Sequence, residues 1–579
     1  MDEIAGAASA GTVTTTSLAL TRTSQATTTV TLLRPPVVVP VSSFAYVAQM
    51  PPIGLAYVAG ALRDAGHDVH VVDAPGTEPE QVTLFSTPLG EMYRIGLTFD
   101  EILARIPAET TVVGITHMFL HEWPTVRELA EAVKRSRPDV FVVLGGENAT
   151  SYRQWIFEET TAVDACVLGE GEATAVELMG RLAAGAPLTD MEGIALRAAE
   201  VGTAARDGVL PVRIRAMDTL PRPAWDLFPM DGYFRFHDAI GMTKSRSIPM
   251  LATRGCPYKC SFCSSPQMWT TRYTVREPKD IVDELEDYVE RYGIDNIDFV
   301  DLTAMTKRKW TLALCDELEE RGLGTLWHLP VGTRSEGFDA HLLRRLYAGG
   351  CRSVTFAPEH GSQRMLDVYD KRVDLDHIYT SIKDARKAGL VTHVNTVIGH
   401  PAERTSDRWV NLLFLMRVAF AGCDTGSAFI FHPYPGSRDF REAVEAGRLT
   451  AGDDYVYDGL ANGLPGNRSW NPEMSAKALY RWQLAMKAGF EAAAVVRDPR
   501  RAWRIARAMV ARDEHRPAEE GKEAGATGPV GMRLGDEHDV RLVALWVRSQ
   551  LRGRAHRARH PEPTAPVDGP PSRQPVPSG

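Results

Sequence analysis

Cysteine is scarce in this chain, and what there is cannot form a disulfide framework. The sequence holds seven cysteines in 579 residues, an odd number, and only three lie close together. A secreted, disulfide-stapled protein carries an even and distributed set. Basic charge is also lacking. Lysine and arginine total 65 against 74 acidic residues, a formal net charge of -9, which runs against a nucleic-acid partner, since such proteins present a basic face. The most apolar later run, Trp409 to Gly422, contains Arg417 and falls short of the ~20 residues a spanning helix needs. No transmembrane segment is expected. Residues 1–29 are rich in Ala, Thr and Ser, lack the basic start and apolar centre of a signal peptide, and read as a disordered leader. These absences point to a reducing, cytoplasmic setting.

What is present is ordinary globular composition, 44% apolar and 24% charged, over a length that accommodates three or four domains at roughly 150 residues each. Residues 30–200 alternate between strand and helix. "TVTLLR", "HDVHVVD", "TTVVGIT", "VFVVLGG" and "DACVLGE" are Val/Ile/Leu-rich strands separated by amphipathic helices. That pattern predicts a parallel sheet covered on both faces, a doubly wound, flavodoxin/Rossmann-like α/β domain. Its ligand crevice lies beyond the carboxyl ends of the strands. Residues 201–245 read as a Pro- and aromatic-rich linker. From 246 to 440 six further strands are expected in "SIPMLATR", "IDNIDFVD", "GTLWHLPV", "RSVTFAPE", "VTHVNTVIG" and "GSAFIFHP". Six repeats predict a partial (β/α)6 TIM-like barrel, with its chemistry at the carboxyl ends of the strands. Residues 441–512 read as a helical C-terminal region, with a basic amphipathic stretch at Arg497–Arg512. Residues 513–579 read as a linker, a short helix and a Pro-rich disordered tail.

The three neighbouring cysteines lie in "TRGCPYKCSFCS", as Cys256, Cys260 and Cys263. Buried structural cysteines occur singly, and three within eight residues broken by Pro257, Lys259 and Ser261 do not fit that description. A zinc site would use paired C-x2-4-C ligands, and no second pair follows. Three soft thiolates suit an iron–sulfur cluster. They hold three irons of a four-iron cluster and leave the fourth open, as a catalytic metal requires.

With Phe262 directly before the third cysteine, and with the motif after the first strand of a β/α barrel, the sequence resembles the radical S-adenosylmethionine (SAM) enzymes. The resemblance extends over about residues 30–440. "APEHGSQRMLDVYDK" is similar to a family segment read G-x-E-S-G-S; Glu359 and Ser362 match, Ala357 and His360 depart. "NTVIGHPAERT" is similar to the SAM-contacting N-x-x-x-G-x-P-G-E-T; Asn395, Gly399, Pro401 and Glu403 match, and Ala402 replaces glycine. The resemblance implies a [4Fe-4S] cluster on Cys256, Cys260 and Cys263, with Phe262, Glu359, Ser362, Gly399 and Glu403 toward SAM. Reductive cleavage of SAM then gives a 5'-deoxyadenosyl radical that abstracts hydrogen from an unactivated carbon.

The first domain resembles the cobalamin-binding domain fused to one large radical SAM subclass. "PPIGLAYVAGALRDAGHDVHVVD", "VVLGGENAT" and "GEGE" carry the likeness. It implies cobalamin against Gly145, Gly146, Gly169, Glu170, Gly171 and Glu172. The D-x-H-x-x-G motif that supplies a cobalt-ligating histidine elsewhere is absent; "DAPGTEPE" stands there instead, and the subclass commonly dispenses with it. His117 and His121 are the candidate cobalt ligands, while His67 and His70 read as surface or packing residues.

The whole is identified as a member of the cobalamin-dependent radical SAM enzymes. The expected function is methylation of an unactivated carbon in a natural-product-like or lipid substrate, small molecule or peptide. Radical cyclisation, ring rearrangement or oxidation without methyl transfer is the alternative. A methylthiotransferase would need three more cysteines, and only Cys166 lies upstream of the triplet. A cobalamin-binding regulator would have no use for an open iron. Asp301, Arg334, His432 and Tyr434 are expected to face the substrate. An electron donor such as flavodoxin or ferredoxin is the expected partner.

Overall fold

The computed structural model describes residues 27–40, 50–197, 213–235, 246–460 and 468–503. Most of the leader, the beginning and end of the linker at 201–245, and the segment expected at 513–579 lie outside the described residues, as does most of the basic stretch at Arg497–Arg512. The described residues from 27 to 497 fall in one compact unit; the described residues 498–503 belong to a second and begin a helical turn.

Among the described residues nine strands precede residue 200: β1 (Thr29–Arg34), β2 (Val37–Pro40), β3 (Asp68–Asp73), β4 (Val82–Thr87), β5 (Gly90–Ile95), β6 (Val112–Thr116), β7 (Phe141–Gly145), β8 (Ala165–Val167) and β9 (Ile194–Leu196). The main sheet runs β3-β1-β6-β7-β8-β9. Its first five members are parallel, and β9 closes the edge antiparallel to β8. The strand order reverses between β1 and β6, so the ligand crevice of this doubly wound sheet opens above their carboxyl ends. Continuous burial follows from cover on both faces: Leu33, Val113, Ile115, Val142 and Leu144 are all essentially inaccessible.

One departure from expectation lies here. β2, β5 and β4 form a separate three-stranded antiparallel sheet inserted around β3. β4 and β5 mix polar and apolar residues, so they lack the apolar runs that mark the parallel strands.

The second sheet contains β10 (Ser247–Met250), β13 (Asn296–Phe299), β14 (Leu326–Thr333), β15 (Cys351–Glu359), β16 (Val391–Ile398) and β17 (Thr425–Ile430), in that order and all parallel. This is the partial six-stranded barrel expected. The first strand, however, is broken. After β10 the chain bends at Leu251 and Ala252, and β11 (Thr253–Arg254) pairs antiparallel with β12 (Thr274–Val275). The bend is held by Asp301, whose carboxylate accepts from the Ala252 and Thr253 amides and the Thr253 hydroxyl. Beyond the barrel, the helix Ala476–Arg497 lies along the helix Thr405–Ala421 and β17.

The two sheets share one apolar core. Val30, Leu32 and Ala56 belong to the same buried cluster as Ile248, Met250 and Phe299, joined through Trp225 and Phe228 of the linker. Tyr233, also from the linker, donates from its hydroxyl to Asp73 at 2.6 Å and accepts from Arg34, pinning the linker across the end of β1 and β3.

Candidate active site at the barrel mouth

The cysteine loop runs from β11 to the helix Ser265–Trp269. Ser261 fixes its centre. The Ser261 amide donates to the Tyr369 carbonyl at 2.9 Å and its hydroxyl to Asp439 at 3.0 Å. Cys256, Cys260 and Cys263 are free thiols, each partly accessible, whereas Cys166, Cys315, Cys351 and Cys423 are buried in the cores. Burial first, then the neighbouring charges of Glu147, Cys260 and Cys256, pushes the Cys263 thiol up to about 12. Burial likewise raises the Cys256 and Cys260 thiols, and Lys371 and Arg334 oppose it. Among the described residues no three His, Cys, Asp or Glu side chains converge on a single metal ion. Three soft thiolates in one loop are a donor set that suits iron–sulfur chemistry.

Two cations flank the loop. The Lys371 ammonium lies 5.9 Å from the Phe262 ring centre and donates to Glu359 at 2.7 Å. The Arg334 guanidinium stacks 3.8 Å over Tyr258. Glu359 ends β15 at φ 72, a left-handed conformation that costs a non-glycine residue of order 1–3 kcal/mol. Phe262 meets Tyr369 edge-on at 5.3 Å.

The structure separates the residues carried over toward SAM. Glu359, Phe262 and Gly399 lie at strand ends or in the loop around the barrel mouth. Glu403 is turned inward: fully buried, it accepts from the Gly399 amide at 2.7 Å and from His360 Nε2 at 3.1 Å. Its carboxylate closes the turn. Ser362 is likewise occupied, donating to Asp407 at 2.7 Å. His360 was marked only as a departure from the family pattern. Its Nδ1 accepts from the Ser362 amide at 2.9 Å, so the proton shared with Glu403 sits on Nε2.

Of the residues expected at the substrate, Asp301 is spent on the strand bend described above. Arg334 pairs with Glu336 at 2.6 Å. His432 is buried against Tyr434, Tyr455 and Trp470. Burial, with the charges of Arg468 and His121 behind it, holds its pKa at about 3, so it is a neutral ring. Tyr434 stays 43% exposed.

In the first domain close backbone packing requires the glycine after β7. Gly146 has φ 119, and a Cβ there would stand 2.6 Å from the His117 carbonyl oxygen. Only glycine allows the loop after β7 to pass so close. The adjoining loop after β6 exposes Met118 and Phe119 (41% and 56%), an apolar floor for a macrocycle. His117 is one of the two candidate cobalt ligands. It is fully buried, hydrogen-bonded to Asn148 at 2.8 Å and stacked on Trp123. His121, stacked on Phe119, is the reachable one. His67 and His70 are packing and surface residues: His67 accepts from the Thr28 amide and His70 pairs with Asp68.

Glu170 and Glu172 are also held by protein partners. Arg254 donates to Glu170 at 3.0 Å and to Glu172 at 2.5 Å, and Arg213 donates to Glu170 at 2.8 Å. All four side chains are at most 7% exposed. Sequence reasoning missed Arg213 and Arg254. The arginine directly before Gly255 and Cys256 was the available signal, but its partners stand 82 and 84 residues away.

Comparison with known proteins agrees with this geometry. The family model described as the B12 binding domain matches residues 44–179, and that of the Radical SAM superfamily matches residues 250–414. The chain is a cobalamin-binding radical SAM enzyme. The cofactors of this class are cobalamin, SAM and a [4Fe-4S] cluster. This radical SAM enzyme is 28% identical to an uncharacterized methyltransferase of Pyrococcus horikoshii over 397 residues, 68% of this chain and 78% of that one. It is 29% identical to an anaerobic magnesium-protoporphyrin IX monomethyl ester cyclase of Rubrivivax gelatinosus, over 60% of this chain and 59% of the cyclase. Its fold is similar to that of the radical SAM methyltransferase TsrM from Kitasatospora setae, at TM-score 0.55 and 20% identity, covering 73% of this chain and 79% of TsrM. Among the described residues no helix is long and apolar enough to cross a membrane.

Proposed function

We propose that this enzyme transfers a methyl group to an unactivated carbon of a small, largely apolar substrate held between the barrel mouth and the cobalamin domain. One observation carries the reading: the Ser264 hydroxyl, beside Cys263, donates to Glu147, beside Gly146. The cysteine loop and the glycine loop of the other domain are thus in direct contact. When bound, the cluster with SAM supplies a hydrogen-abstracting radical and cobalamin supplies the methyl group. The protein's own residues do the rest. Cys256, Cys260 and Cys263 hold the cluster; Glu359, Lys371, Phe262 and Gly399 orient SAM; Gly145, Gly146, Gly169 and Gly171 admit the corrin. Phe119 and Tyr434 exclude water and present apolar surface with a phenol at its edge, which suits a lipid or natural-product-like substrate. The neutral His432 ring adds no charge. A flavodoxin- or ferredoxin-like donor provides electrons, in the cytoplasm.

The cyclase relative supports a second reading, radical ring closure on the same cofactors without methyl transfer. Anaerobic reconstitution with iron, sulfide, cobalamin and SAM separates the two. Equal amounts of 5'-deoxyadenosine and S-adenosylhomocysteine support methylation. Deoxyadenosine alone favours ring closure. Neither product from a protein with a well-formed cluster overturns both.

A further inference from the structure

Both ends of the cysteine loop are fastened to the first domain by side chains that belong to no motif. At the entry stands Arg254, two residues before Cys256, bound to Glu170 and Glu172 after β8. At the exit stands Ser264, next to Cys263, donating to Glu147 after β7. A third contact ties the two glycine loops to each other. The Thr150 hydroxyl accepts from the Gly169 amide at 3.1 Å, donates to the Gly146 carbonyl at 3.0 Å, and lies 3.4 Å from the Met268 sulfur in the helix that follows the cysteines. The loops that would face the corrin and the loop that would hold the cluster are therefore one hydrogen-bonded element. On its far side the cysteine loop is anchored to the barrel through Ser261.

We infer that occupancy of either cofactor site orders the other through the Ser264–Glu147 contact, so that cluster and cobalamin bind cooperatively. The inference rests on the reading that these loops take those cofactors. A loop already ordered by one ligand leaves less conformational entropy to be lost when the second binds. The coupling must be reciprocal, because the two binding free energies share one cycle. Ser264 and Glu147 are positioning residues here; neither touches a reacting atom. Arg254 is unsuitable as a probe, since its removal strands two buried carboxylates and threatens the fold itself.

The test uses the full chain and hydroxocobalamin. Its dissociation constant is measured with and without the reconstituted cluster. The wild-type protein is expected to bind about tenfold more tightly with the cluster present, equivalent to ~1.4 kcal/mol. Ser264→Ala removes the donor and brings that factor to within twofold of one, while iron-free affinity stays within twofold of wild type. Ser264→Thr keeps the hydroxyl and restores the factor. A residue that merely stabilised the fold would weaken both affinities and leave their ratio alone. Amide exchange in the iron-free protein gives a second readout: cobalamin should slow exchange over residues 255–265 in the wild type and not in Ser264→Ala. Equal affinities in the wild type, or an undiminished factor in Ser264→Ala, overturn the coupling and leave the proposed chemistry standing. A protein that binds no cobalamin at all overturns both.

Discussion

The carboxylate of Glu403 accepts a hydrogen bond from the backbone amide of Gly399 at 2.7 Å, and this contact closes the turn that ends β16. Gly399 sits at φ 87, and a Cβ added there would stand 2.8 Å from a Leu479 methyl. Gly399→Ala should therefore cost about 1–3 kcal/mol through backbone strain and displacement of Leu479. Chemical denaturation of the cofactor-free protein checks it, as a lower midpoint with an unchanged slope.

Single Cys→Ser changes at Cys256, Cys260 or Cys263 should abolish retention of the cluster, seen as loss of its visible absorbance and of iron and sulfide by chemical analysis. Cys315→Ser, in the buried core, should keep full iron content and lose stability instead. Equal iron loss from both kinds of variant would remove the assignment of the cluster to the loop.

Tyr233→Phe should destabilise the molecule by about 1–3 kcal/mol. The ring still packs, but the Asp73 carboxylate loses its 2.6 Å donor in a fully buried setting, and Arg34 loses an acceptor. Thermal or urea unfolding measures the loss; a change below a few tenths of a kcal/mol would mean that the clamp carries no load.

Asp298 gives a pH signature. Burial raises its carboxyl from the ordinary 3.8 to about 7, with only a Ser247 hydrogen bond opposing it. The folded state thus holds a proton that the unfolded state releases near pH 4. Stability from this group is present in acid and falls as pH rises from about 4 toward 7. Asp298→Asn should flatten that part of the profile, so wild type and variant converge at low pH and separate, in the variant's favour, near neutrality. Parallel profiles would show that Asp298 titrates normally.

Much of the architecture is legible in the sequence because it is local. The parallel strands are continuous apolar runs, and Cys256, Cys260 and Cys263 lie within eight residues. The antiparallel insert is not legible, since "VTLFST" and "EMYRI" mix polar and apolar residues and owe their pairing to a hairpin rather than to burial. The break between β10 and β11 depends on Asp301, some fifty residues downstream. The protein partners of Glu170, Glu172 and Glu403 are not legible at sequence level for one reason: a motif shows that a carboxylate is present but not what it meets in the fold. The same holds for His117, which meets Asn148 and Trp123.

The buried pairing of Glu170 and Glu172 with Arg254 also bears on how the molecule is made. A ribosome completes β9 well before it reaches residue 254. Until then the first domain must either bury two carboxylates without their arginine, at several kcal/mol each, or leave the loop after β8 open to water. Its shared core, with Val30 and Ile248 in one cluster, sets the same condition. The first domain therefore completes its burial only when the segment that carries Arg254 is in place. A chain cut after residue 197 should remain open to proteases, however complete its own sheet.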